Sequence, residues 1–360
     1  MTRSATCFST LAALLVIGVG SLAQAEEDAG KVLRVIGESA AGAPAPRQFV
    51  IDARLKPGDA PFQSTVSGWF AALSPDTGSG EIEGSCVESR CALSVDIDAG
   101  KLALTGDLAG SGPPGAGRIT LKGEDDKTVQ GEVRFRPVSG PIEGLGELAA
   151  PDAVSATELS DLLLWNDSQG GFSNVDKDWP DSFERGVLAE WQGSNERPAT
   201  GLILTADLQA LRAAAAGAKA KAEWKPLGDP ALGWSAGYPA ALLPKASQAA
   251  AERRFESADG KVRLVVAVEP GQSGEDFDAF WEKTKARAEA GEGQGYTRVN
   301  SDFEISWQEK GTTVTAAAHN REGGLARLEF SYPADQEDTW GPYKAILPHS
   351  LRVTDELKAK

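Results

Sequence analysis

The sequence predicts an α+β chain: an N-terminal antiparallel β-sandwich or barrel, a helical segment, and a C-terminal domain of mixed strands and helices. Three observations carry this. Between residues 31 and 140 apolar side chains recur with a period of two. Between 152 and 223 the period lengthens to that of a helix. From 232 onward, short strand-like runs accompany two amphipathic helices.

The first element is an address. Arg3 is the only charge before Glu26, an apolar run extends from Leu11 to Val19, and Ala23-Gln24-Ala25 supplies the small-x-small pattern of a signal-peptidase site. That run is shorter than the roughly 20 residues a spanning helix needs. Residues 1–25 are therefore expected to be a cleaved signal, with a mature chain beginning at Glu26 in the periplasm and without a membrane anchor.

Residues 31–150 form the expected β-rich domain. Phe49, Ile51, Ala53 and Leu55 alternate with other residues, as do Leu93, Val95 and Ile97, and Leu102 with Leu104, Ile119 with Leu121 and Val133 with Phe135 repeat the pattern. Gly- and Pro-rich turns separate these runs, so the connections are local hairpins. Cys86 and Cys91 are the only cysteines after the signal. With four residues between them across a turn, in an oxidising compartment, they are expected to form a structural disulfide.

Residues 151–225 form the helical segment. Ser155-x-x-Glu158 reads as a capping box ahead of Leu159, Leu162 and Leu163. Pro180 suits a first helical turn before the apolar stripe Phe183, Val187, Leu188 and Trp191. A third helix is expected from about Ala206 to Glu223. Pro226, Gly228 and Pro230 then break the chain, and the C-terminal domain is expected over 232–355. Its predicted strands are 233–238, 253–257, 261–268, 302–308, 312–319 and 324–332. One helix is expected from Gly274 to Ala290, and a last one carries Trp340, Tyr343, Ile346 and Leu347.

In that last third, Tyr238-Pro239, Phe255-Glu-Ser-Ala-Asp259-Gly260, Tyr296, Phe303-Glu-Ile-Ser306, Phe330-Ser-Tyr332-Pro333 and Ser350-Leu351 follow one another in a telling order. The pattern resembles the PsbP-like domains of exported bacterial proteins. The resemblance implies an α-β-α layered fold and a binding or assembly role, and it carries no catalytic residue. Residues 31–225 resemble no family.

Composition narrows the partners. With 52 acidic and 36 basic side chains the net charge is −16, unsuited to nucleic acid or anionic lipid, which reward clustered Lys and Arg. An envelope protein or a glycan is the expected partner. Two histidines and, after the expected signal, no cysteine outside the expected disulfide leave no thiol nucleophile and too few ligands for zinc, and no cofactor is expected.

Several motifs invite chemistry. Gly233-Trp-Ser235-Ala-Gly237 spells a nucleophile elbow, but Tyr238-Pro239 stands where its helix would begin. Gly110-Ser-Gly112-Pro-Pro-Gly115 spells a dinucleotide fingerprint, yet its prolines remove the amides a pyrophosphate needs, so it reads as a hairpin loop. Asn174, Asp176, Asp178 and Asp181 alternate as calcium ligands would. Trp179 and Arg185, however, occupy the positions of the loop glycine and the last carboxylate, and Asp178 or Asp181 serves equally as a helix cap. Of nine tryptophans, Trp69, Trp281, Trp307 and Trp340 fall in amphipathic elements and are expected in cores. Trp165, Trp179, Trp191, Trp224 and Trp234 flank loops, where exposed rings would stack on sugars or peptides and buried ones would pack between domains. The leading expectation is a soluble periplasmic binding or assembly-support protein without catalysis. The alternative is an envelope hydrolase using carboxylates in an interdomain cleft.

Overall fold

The structure is a computed structural model that describes residues 31–40, 46–74, 78–97, 100–108, 115–123, 127–166, 179–229, 233–249, 252–271, 274–354 and 357. The expected signal, the fingerprint loop up to its fifth residue, and Asn174, Asp176 and Asp178 lie outside them.

Eight strands follow one another as a meander: β1 (Lys31–Ser39), β2 (Gln48–Pro57), β3 (Gln63–Ser74), β4 (Ser79–Val87), β5 (Arg90–Ile97), β6 (Gly100–Asp107), β7 (Gly115–Lys122) and β8 (Thr128–Pro137). Antiparallel pairing of β1 with β8, from Val35 opposite Pro137 to Ser39 opposite Val133, closes them into a barrel. Of the two expected architectures the barrel is therefore the one formed. The alternating residues supply a filled interior. Phe49 packs against the tilted ring of Phe70 at 5.1 Å and edge-on against Phe135 at 6.2 Å, among Ile51, Ile82, Leu102, Leu104 and Ile119. Gly37 makes room for Phe49, since a Cβ there would lie 2.1 Å from the ring.

The outer wall of the first three strands is also apolar. Ile36, Val50, Trp69 and Ala71 are covered by Ile142, Leu148, Leu202 and Leu204, which fastens the helical segment to the barrel. That segment holds α1 (Ala156–Leu164), α2 (Ser182–Ser194) and α3 (Thr205–Lys221). Ser155 caps α1 through its Oγ, which accepts the Glu158 amide at 3.1 Å, while the Glu158 carboxylate turns to Arg212 instead of completing a box. The full capping box belongs to α2. Asp181 accepts the Phe183 amide, and Glu184 accepts the Asp181 amide at 2.9 Å. The stripe of α2 is buried except at Phe183, which is 43% exposed one turn too early to face the cluster.

The rest of the chain contains β9 (Trp224–Asp229), β10 (Trp234–Pro239), β11 (Lys245–Ala249), β12 (Glu252–Glu256), β13 (Arg263–Pro270), α4 (Gly274–Glu289), β14 (Glu292–Val299), β15 (Asp302–Glu309), β16 (Thr312–Arg321), β17 (Gly324–Pro333), α5 (Glu337–Ser350) and β18 (Arg352–Val353). Seven strands form one antiparallel sheet in the order β11-β12-β13-β17-β16-β15-β14, and β18-β10-β9 form a second. Phe303, Ile305, Val314 and Ala316 turn to Phe277 and Trp281 of α4. Leu264, Val266, Leu328 and Phe330 turn the other way, to Trp340 and Leu347 of α5. Thr315 faces Phe330 across the register, so β16 is buried on both sides and the layers run helix, sheet, helix. The Pro/Gly stretch read as a break includes an edge strand: Pro226 and Gly228 sit in β9, where a missing donor facing outward is tolerated. Among the described residues no helix is long and apolar enough to cross a membrane.

Candidate functional site

Two hairpin tips meet at one end of the barrel. Cys86 and Cys91 face each other across β4 and β5 with their Cα atoms 4.0 Å apart. They are joined by a disulfide whose sulfurs lie in the barrel core. The bond closes the hairpin just inside its tip, Val87-Glu88-Ser89-Arg90. Glu88, in a left-handed conformation (φ 56°), donates its amide to the Phe62 carbonyl at 2.9 Å and thereby ties the β2–β3 tip to the clamped one. Within that second tip, the Gly58 amide bonds the Gln63 carbonyl at 2.8 Å.

What these tips display is apolar. Phe62 is 79% exposed and Val87 57%, the first following Pro61 in an open turn. Phe62 also has φ 63°, a region that disfavours residues with a Cβ. A large aromatic is thus held in solvent on a strained backbone that glycine would occupy more readily. Val87 and Arg90 in turn border an open depression of about 1280 Å3 over the outer wall of β4 to β8. Small residues in register, Ser85, Ala92 and Thr105, pave it, while Arg90, Arg118 and Arg134 stand among Glu38, Asp107 and Glu132. The sequence reading missed this face. Its one local signal was a phenylalanine placed directly after Gly58-Asp59-Ala60-Pro61, an apolar residue inside a turn cluster.

The residues singled out by motif are distributed elsewhere. Ser235 lies in β10 with Gly228 on one side and Arg352 on the other, in regular strand pairing, so no elbow forms. Gly115 opens β7. Asp181 caps α2. Trp69, Trp281, Trp307 and Trp340 are in cores as expected. Trp165, Trp191 and Trp234 are buried too, and half-buried Trp224 meets Trp165 edge-on at 5.0 Å, joining the helical segment to the last domain. Among the described residues no group of three or more His, Cys, Asp or Glu side chains is placed to hold a metal ion.

Charged groups in the interior are mostly structural. Asp52 is fully buried in β2. Burial works against its charge, but Arg185 and Arg34, each 2.8 Å away, outweigh it and hold the carboxyl below its usual range. Asp302 is likewise lowered, with burial outweighed by hydrogen bonds from His319 (3.0 Å) and Arg321. Burial pushes His349 down to about 3, and neighbouring Arg352, which donates to its Nε2, adds to the effect. Two carboxyls are raised. Glu304 in β15 is pushed up to about 8 by burial, with Lys344 opposing. Glu184 in α2 is raised by burial and by its partner Asp181. They sit in different units, and neither lines the depression of about 430 Å3 between α1 and the last domain. The acids there, Glu158 and Asp161, are ion-paired with Arg212 (2.7 Å) and Lys219 (2.8 Å).

No family model matches the sequence, and no curated protein matches it. Among solved structures, the solution structure of cyanobacterial PsbP from Synechocystis sp. PCC 6803 aligns with 36% of this chain and 92% of that one, at 13% identity and a TM-score of 0.27. The Pseudomonas aeruginosa MucA/MucB complex aligns with 89% of this chain and 92% of that one, at 10% identity and a TM-score of 0.13. Neither superposition is close enough to carry a function across.

Proposed function

We propose that this chain is an exported, non-catalytic binding or assembly-support protein of the periplasm, with a PsbP-like last third, and that it grips an envelope protein through the Phe62–Val87 end of its barrel. One observation carries the reading. A 79% exposed phenylalanine is held in a left-handed backbone by a hairpin that a disulfide clamps. Strain kept at an exposed residue marks a place where the surface serves something other than stability. A rigid aromatic anchor loses little freedom on binding, which is what makes such residues dominate interfaces. The neighbouring depression, with its mixture of arginines and carboxylates, supplies the polar rim that surrounds an apolar anchor in protein contacts.

The test is comparative co-purification. The mature chain and its Phe62→Ser/Val87→Ser variant are each used to draw partners from envelope extract. A protein retained by the first and lost by the second, with both folded by circular dichroism, supports the reading. Equal recovery by the two chains sinks it.

A further inference from the structure

Among the described residues, the interface between barrel and helical segment gathers three arginines around one fully buried carboxylate. Arg34, Arg54 and Arg185 come together on the outer wall of β1 and β2, and the fully buried carboxylate among them, Asp52, is consumed by two of the three. Arg34 spends its Nη1 on the Ala149 carbonyl, and Arg185 its Nε on the Pro180 carbonyl. Among the described residues, three buried donors are left without a hydrogen-bond partner: Arg54 Nε, Trp179 Nε1 and Arg185 Nη1. They belong together, because the guanidinium carbons of Arg54 and Arg185 lie 4.6 and 5.3 Å from the centre of the Trp179 ring. The Arg185 side chain is buried, with about 1% of its surface exposed.

Unanswered donors on two cations cost far more inside a protein than at its surface, and stacking on an indole face offsets only part of that cost. An oxyanion answers all of it at once. Carboxylate and phosphate oxygens match the planar donor fork of a guanidinium, and an indole N–H adds a further donor. We infer that Arg54, Trp179 and Arg185 form a binding site for a small oxyanion, a carboxylate or phosphate group. The site is independent of the exposed barrel end. In a chain of net charge −16, it is a place where two guanidiniums stand together on one indole ring.

The experiment uses the mature chain in phosphate-free buffer, titrated calorimetrically with inorganic phosphate and separately with acetate, chloride holding the ionic strength constant. Saturable heat with either probe, and a rise in melting temperature above the chloride control, are the expected results. Which probe responds identifies the oxyanion class. Trp179→Phe keeps an aromatic face for the two guanidiniums but removes the N–H together with the five-membered ring, so it should weaken binding roughly tenfold, and Arg54→Gln by at least as much. Heats no larger than the chloride control, or a Trp179→Phe chain that binds like the parent, overturn the inference. The Phe variant decides the matter even if the Arg54 variant fails to fold.

Discussion

At the scale of single residues, Phe62 and Asp52 spend stability in opposite ways. A left-handed backbone costs a residue with a Cβ about 1–2 kcal/mol, part of which glycine's larger unfolded-state entropy returns. Phe62→Gly should therefore raise unfolding free energy by about 0.5–1 kcal/mol in urea titration while weakening partner recovery, a trade that a purely structural Phe62 would not produce. Asp52→Asn should do the reverse, because it leaves Arg34 and Arg185 facing each other without a counter-charge. A loss of about 3–5 kcal/mol is expected in the same assay. The raised carboxyl of Glu304 gives a pH signature. Its folded form holds a proton that the unfolded chain has released above the ordinary carboxylate range, so stability falls as pH rises from about 4.5 toward about 8. Below about 6.5 His349 acts oppositely, since the unfolded chain takes up a proton that the buried ring refuses until about 3. The window between about 6.5 and 8 isolates the glutamates. Glu304→Gln should flatten the decline there by about 1–2 kcal/mol, and an unchanged slope would show that Glu304 ionises freely in the fold.

At the scale of elements, legibility followed whether a strand's side chains alternate. The run Phe49, Ile51, Ala53, Leu55 was readable because every second residue fills the barrel. The capped starts of α1 and α2 were readable because capping is local chemistry. β14 was not: its Glu292-Gly-Gln-Gly295 start has little apolar signal, and it forms only because β15 offers an edge to pair with. β9 was hidden by Pro226 and Gly228, which an edge strand accommodates. The disulfide was legible from spacing and the expected export, whereas the exposed aromatic it helps to hold depends on the Glu88–Phe62 bond between separate hairpins. The clamp closes a very short loop, so reduction should cost only about 2 kcal/mol and leave the barrel folded by circular dichroism. Complete unfolding on reduction would mean that the hairpin contributes more than loop closure.

At the scale of the whole molecule, what sequence could not supply was pairing over distance. A sandwich and a barrel share the same alternation, and only the β1–β8 ladder, joining residues near 37 to residues near 135, separates them. Asp52 meets Arg185 across 133 positions, which no local pattern foretells. The candidate face is of this kind, being assembled from tips far apart in sequence. A photo-crosslinking side chain placed at position 62 or 87 of the full chain expressed in cells, against a control at exposed Lys101 on the same barrel, tests its use most directly. A discrete covalent adduct to one envelope protein is expected from positions 62 and 87 and none from 101. Equal labelling from all three positions, or no adduct from 62 and 87 in intact cells, would contradict it.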